Sequence, residues 1–207
     1  LAARVPAYAE RRRQIAAEPL PATIGALIDA AADEAGDTLL WDFFESGETI
    51  TYSEMRRTVN GLATQLLSLG IDKGTHIGVM LPNIAALPLT WLAIGRIGAV
   101  MAPINVSYRE RELAHVVDNA DVTWLVAHKD CLPMIDAARE QGQISIPPSQ
   151  VIVVGGATDG MIAWEYLASA PRDTFEAPAP VGHDDLLNIQ FTSGTSGFPK
   201  GCMLTQR

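Results

Sequence analysis

The residues best equipped for chemistry lie at positions 191–201, Phe191-Thr192-Ser193-Gly194-Thr195-Ser196-Gly197-Phe198-Pro199-Lys200-Gly201. Four hydroxyl side chains, three glycines and one lysine fall within these eleven residues. Glycines let backbone N–H groups approach an anion with no Cβ in the way. Hydroxyls donate short hydrogen bonds to phosphate oxygens and can reach a magnesium ion. Lys200 adds a mobile positive point charge. The composition therefore suits a loop that wraps a polyphosphate. The preceding run, Leu186-Leu187-Asn188-Ile189-Gln190-Phe191, alternates in the manner of a strand that launches such a loop.

Two common nucleotide motifs are excluded. A Walker A loop requires G-x-x-x-x-G-K-[ST], but Lys200 is flanked here by Pro199 and Gly201. The dinucleotide fingerprint G-x-G-x-x-G is absent. A plain Ser/Thr/Gly linker is the bland alternative. Linkers rarely place Pro-Lys-Gly after two spaced glycines and then resume an apolar run such as Cys202-Met203-Leu204.

Residues 191–201 resemble the phosphate-binding signature of the acyl-adenylate-forming enzymes, close to [YF]-T-S-G-T-[TS]-G-x-P-K-G. That family comprises acyl-CoA synthetases, peptide-synthetase adenylation domains and firefly-type luciferases. Further segments resemble the family in order along the chain: Glu48-Thr49-Ile50-Thr51-Tyr52-Ser53-Glu54, Leu69-Gly70-Ile71-Asp72-Lys73-Gly74, Met80-Leu81-Pro82-Asn83, and Gly95 through Asn105. Together the matches span residues 23–207. Relatives are much longer, so the resemblance implies the N-terminal part of a longer enzyme.

The resemblance implies that Thr192, Ser193, Gly194, Thr195, Ser196, Gly197 and Lys200 hold the β,γ-phosphates of ATP. Mg²⁺ would be reached through Thr195 and Ser196, and coenzyme A would accept the acyl group. The reaction implied is activation of a carboxylic acid as acyl-AMP with loss of pyrophosphate, followed by thioester formation. Ser196 stands where many relatives carry Thr and keeps the hydroxyl. Gln206 stands where many acyl- and aryl-CoA ligases carry His near the carboxylate site; Gln donates hydrogen bonds but cannot become cationic. The adenine and ribose contacts, the Mg²⁺-binding Glu and the catalytic lysine of the family would all follow Arg207. No catalytic residue is therefore expected within these residues, and the 207-residue piece alone is expected to be inactive. Pro103-Ile104-Asn105 followed by Arg109-Glu110-Arg111-Glu112-Leu113 favours a CoA ligase, since carrier-loading adenylation domains more often show Asp at position 105. A carrier-loading adenylation domain, a luciferase-like oxygenase and a non-catalytic folded fragment are the alternatives.

Composition narrows the partners. The chain has 24 acidic against 15 basic residues, which argues against a nucleic-acid surface. Arg11-Arg12-Arg13 is the one basic cluster and reads as a solvated helix face. Cys131 and Cys202 are isolated, so reduced thiols and a cytoplasmic location are expected. His76, His115, His128 and His183 lack metal-ligand spacing and read as ordinary core or surface residues. No signal peptide or transmembrane segment is visible, and the apolar run 84–95 reads as a buried helix. A carboxylic acid is the expected substrate, and a homodimer is among the assemblies allowed.

The elements that must position the loop alternate along the chain. The spacing predicts a helix over 51–69 with a Thr51/Glu54 capping box and Gly70 at its left-handed end. Strands are expected over 76–81, 99–104, 122–127 and 151–154. Helices are expected over 83–97 (capped by Asn83), 109–119, 132–141 and 161–167. This pattern predicts an α/β fold with a mostly parallel sheet and helices on both faces. The expected organisation is an N-terminal extension at 1–22, an α/β lobe at 23–170, a connector at 171–183, and the strand and ATP-phosphate-binding loop at 184–207.

Overall fold

The computed structural model describes residues 8–17, 19–156, 160–192 and 199–207. Helix α1 (Tyr8–Ala17) carries Arg11, Arg12 and Arg13 in exposed positions, as their charge requires. Helix α2 (Ile24–Ala35) starts where the Thr23 hydroxyl accepts the Ala26 N–H at 3.1 Å. A hairpin of β1 (Leu39–Phe43) and β2 (Glu48–Thr51) follows. Neither α2 nor the hairpin figures among the sequence expectations. The α2 signal was present: Thr23 precedes Ile24, Leu27, Ile28 and Ala31, the spacing of one helix face.

Helix α3 (Tyr52–Ser68) begins with the expected capping box. The Thr51 hydroxyl accepts the Glu54 N–H at 3.2 Å, and Glu54 Oε2 accepts the Thr51 N–H at 2.9 Å. The Thr51 N–H, and second the Thr51 hydroxyl, which donates to Glu54 Oε2 at 3.0 Å, hold the Glu54 carboxyl below its usual range. Gly70 takes the left-handed position at φ +82°.

The core alternation then runs as expected: β3 (His76–Met80), α4 (Ala86–Arg96), β4 (Val100–Pro103), α5 (Glu110–Asn119), β5 (Trp124–His128), α6 (Leu132–Glu140) and β6 (Val151–Val154). Two details differ. Asn83 does not cap α4; the Ile84 N–H bonds back to the Pro82 carbonyl at 2.8 Å, so residues 82–85 form a turn and α4 starts three residues later. The segment 161–167 is not one helix. Ile162 and Ala163 pair with Ile152 and Val153 as β7 (Ile162–Ala163), and only Trp164–Ala168 is helical, as α7. The free edge of β6 captures two residues that local propensity would have given to the helix.

The chain ends in β8 (Leu186–Thr192) and β9 (Lys200–Thr205). One seven-stranded sheet results, in the order β7-β6-β5-β3-β4-β8-β9, parallel except for β9. Alternate strand residues feed two cores. Ile77, Val79, Met101, Val126 and Ile152 pack against α2, α3, α4, α7 and the hairpin. Met80, Val100, Leu125, Val153 and Phe191 pack against α5 and α6. The parallel strands are buried on both sides and read as apolar runs for that reason.

Two clasps hold the first layer. Arg96, at the end of α4, is buried and bonds both Asp29 carboxylate oxygens at 2.9 Å and the Gly25 carbonyl at 3.0 Å. Its guanidinium also lies 5.4 Å from the Phe175 ring centroid. On α3, buried Asn60 donates to the Arg172 and Asp173 carbonyls at 3.1 and 3.2 Å. Beside it, Gly61 faces the Ala170 carbonyl so closely that any Cβ would collide with that backbone.

Candidate functional site

β8 is parallel to β4, so its carboxyl end lies at the same edge of the sheet as those of β3 and β4. After β3 the chain moves to one side, to β4, then crosses over to β5 on the other side of β3. Such reversals open a crevice at the carboxyl ends of the strands, the usual place for a ligand in open α/β sheets. The loop enters from Thr192 and leaves at Lys200, which face each other as register partners in the β8–β9 ladder. Both are exposed. One hydroxyl and one ammonium thus flank the mouth of the loop, a donor set suited to phosphate oxygens. Ser193, Gly194, Thr195, Ser196 and Gly197 lie outside the described residues.

Besides the β4–β8 pairing, three polar side chains among the described residues tie the hairpin region to the body. Gln206 is the first. Its Oε1 accepts the Ile24 N–H at 3.0 Å, its Nε2 donates to the Gly95 carbonyl at 3.1 Å, and its backbone N–H donates to the Asp185 carbonyl at 2.9 Å. The side chain therefore links the end of β9 to α2 and α4, a tethering role that needs one donor and one acceptor and no charge. Lys73 is the second. It bonds the Pro180 carbonyl and the Asp185 carboxylate, each at 2.7 Å. That bond, with the Gly182 N–H as the next contribution, holds the Asp185 carboxyl below its usual range. His115 is the third, where its Nε2 lies 2.8 Å from the Pro199 carbonyl.

The histidines otherwise serve the backbone. His76 Nδ1 lies 2.6 Å from the Ala120 carbonyl, and His183 Nε2 lies 2.8 Å from the Pro21 carbonyl. His128 stands beside Asp130. Among the described residues, no group of three or more His, Cys, Asp and Glu could hold a metal ion. Cys131 is buried, and that burial pushes its thiol up. Among the described residues no helix is long and apolar enough to cross a membrane. Asn105 closes a local turn, its Oδ1 accepting the Ser107 N–H at 2.9 Å.

On the α4 side, a cavity of about 460 Å³ opens between β1, α4 and the sheet. Its walls are aromatic and aliphatic (Trp41, Phe43, Leu87, Trp91), and Asn188 and Gln190 of β8 supply carboxamides. Asn188 is buried, and its Oδ1 has no hydrogen-bond partner among the described residues.

Comparison with known proteins agrees with this geometry. The sequence profile of the AMP-binding enzyme family matches residues 28–207. The crotonobetaine/carnitine–CoA ligase of Salmonella agona (strain SL483) is 32% identical over 169 residues, covering 78% of this chain and 32% of that protein. The chain thus spans about a third of the length of the curated relatives it matches. A long-chain-fatty-acid-CoA ligase from Archaeoglobus fulgidus superposes with a TM-score of 0.76 at 28% identity, over 91% of this chain and 38% of that one. The anthranilate CoA ligase AuaEII, solved with anthranoyl-AMP, has a TM-score of 0.82 over 92% of this chain and 36% of its own; at 20% identity it shows the shared fold. By profile, sequence and fold, the chain belongs to the AMP-binding enzyme family, the acyl-adenylate-forming group, and corresponds to its N-terminal part.

Proposed function

We propose that a protein carrying this chain activates a carboxylic acid as acyl-AMP and passes the acyl group to coenzyme A. The observation that carries the reading is the hairpin. A signature of hydroxyls, glycines and Lys200 leaves the carboxyl end of a parallel strand, with Thr192 and Lys200 paired across its base. In this reading the carboxylate attacks the α-phosphorus of ATP, and charge grows on the departing pyrophosphate. Thr192, Ser193, Gly194, Thr195, Ser196, Gly197 and Lys200 hold those phosphates by N–H, hydroxyl and ammonium donors, which offsets the developing charge. Mg²⁺, reached through Thr195 and Ser196, neutralises phosphate charge when bound. The loop itself moves no proton and attacks no atom. The coenzyme A preference rests on the CoA-ligase relatives and on the Asn105-to-Leu113 pattern.

The test is product analysis with ATP, Mg²⁺, coenzyme A and a panel of acids that includes carnitine, crotonobetaine, anthranilate and fatty acids. AMP, pyrophosphate and an acyl-CoA are expected for at least one acid. ADP and free phosphate would refute the reading.

A further inference from the structure

We propose that His115 is a positioning residue for the phosphate loop, pinning both of its stems to α5. The inference rests on the reading of residues 192–200 as a polyphosphate site.

Two contacts meet on one imidazole. Nε2 lies 2.8 Å from the carbonyl of Pro199, the residue before Lys200. The ring also packs edge-on against Phe191, the residue before Thr192, with centroids 6.1 Å apart and an interplanar angle of 77°. Phe191 and Gly201 are register partners, so these contacts straddle the base of the hairpin on its incoming and outgoing strands. A carbonyl can only accept, so Nε2 carries the hydrogen. In the neutral ring Nδ1 is then the acceptor, and Asn119 Nδ2 lies 3.3 Å from it. The same Asn119 amide donates to the His115 carbonyl at 2.8 Å, one turn back on α5, which fixes the carboxamide that orients the ring. The neighbours Leu113 and Val116 are fully buried, so α5 offers a rigid base.

A pin of this kind sets the spacing of the stems before a ligand arrives. Thr192 and Lys200 then meet the phosphates already placed, and less ordering remains at the moment of binding. His115 touches neither substrate nor reacting atoms. Its loss should weaken ATP binding more than it slows the chemical step.

The experiment compares the unaltered protein carrying this chain with His115→Ala and His115→Gln. Gln keeps a donor near the position of Nε2. The readouts are ATP-dependent pyrophosphate exchange and the rate of tryptic cleavage at Lys200–Gly201. His115→Ala should raise KM for ATP about 3- to 10-fold, the equivalent of one lost neutral hydrogen bond, with kcat changed less than KM. Cleavage at Lys200 should accelerate by a similar factor, and His115→Gln should recover most of both losses. An unchanged KM with unchanged cleavage overturns the inference, as does a Gln variant no better than Ala. Absence of exchange in the unaltered protein would instead refute the ligase reading and the polyphosphate role with it. The cleavage rates would still decide whether His115 pins the stems.

Discussion

The parallel body and the β8–β9 hairpin share one sheet but are built differently. β3 pairs with β4 over four positions, from His76 opposite Val100 to Val79 opposite Pro103. The ladder between β4 and β8 is Met101 opposite Asn188. Strand β6 is buried along its whole length, whereas Lys200 to Met203 of β9 are exposed and Met203 keeps 69% of its surface. The body is held by apolar burial on two faces. In the hairpin, β8 buries Ile189 and Phe191 in the second core, whereas β9 is held by its pairing with β8 and by polar ties at Gln206 and the Pro199 carbonyl, with Lys73–Asp185 at the entry to β8. The candidate chemistry sits at the more exposed end of the sheet, and the buried strands supply a fixed frame. Loops carried on rigid scaffolds are the common site of function for this reason.

The comparison predicts that changes in the two regions separate into activity and stability. Lys200→Ala should slow acyl-adenylate formation about 10- to 1,000-fold, the range for loss of one electrostatic stabiliser. Its melting temperature should not move, because Lys200 is exposed. Steady-state pyrophosphate release and a thermal melt on one preparation check both halves.

Arg96→Ala should do the reverse. It removes the buried partner of Asp29 and the bond to the Gly25 carbonyl, and should cost about 3 kcal/mol of stability. Activity per folded molecule should stay near normal. Urea unfolding measures the first effect, and turnover normalised to folded protein measures the second.

Gln206→Leu tests the hairpin's own hold. It strands the Ile24 N–H and the Gly95 carbonyl and should cost about 1–3 kcal/mol. Amide hydrogen exchange should accelerate in β8 and β9 while β5 and β6 stay protected. Uniform acceleration through the sheet would mean that the two regions open together.

The smallest effect concerns pH. Asp185 is held below the usual aspartate range, so its contribution is present above that range and is lost as pH falls through the depressed folded value. Asp185→Asn should lower stability at neutral pH by at most about 1 kcal/mol, since the pair with Lys73 is partly exposed. It should also flatten the loss of stability below about pH 4. Melting curves across that range supply the check.

How much the sequence revealed depended on how local each signal was. Val151–Val154 and the capping box at Thr51 and Glu54 are written in adjacent residues, and both form as expected. The hairpin β1–β2 was missed because Thr49 to Glu54 reads as a helix lead-in, and the pairing that makes Glu48–Thr51 a strand comes from Leu39–Phe43. β7 escaped for a similar reason, since only the edge of β6 makes Ile162 and Ala163 extended. The polar ties are the least legible. Gln206 and Ile24 are 182 positions apart, and His115 and Pro199 are 84 apart. No composition or period announces such contacts, so a histidine expected to be ordinary stands at the base of the loop.

The most direct test of the account follows an oxygen atom. The protein is given a carboxylic acid labelled with ¹⁸O in its carboxyl group, together with ATP, Mg²⁺ and coenzyme A. Attack of that carboxylate on the α-phosphorus makes the labelled oxygen the bridge of acyl-AMP. The thiol then takes the carbonyl carbon, and AMP departs with the bridge. Mass spectrometry should therefore find ¹⁸O in AMP and none in pyrophosphate. Label in free phosphate, with ADP as the nucleotide product, would contradict the account.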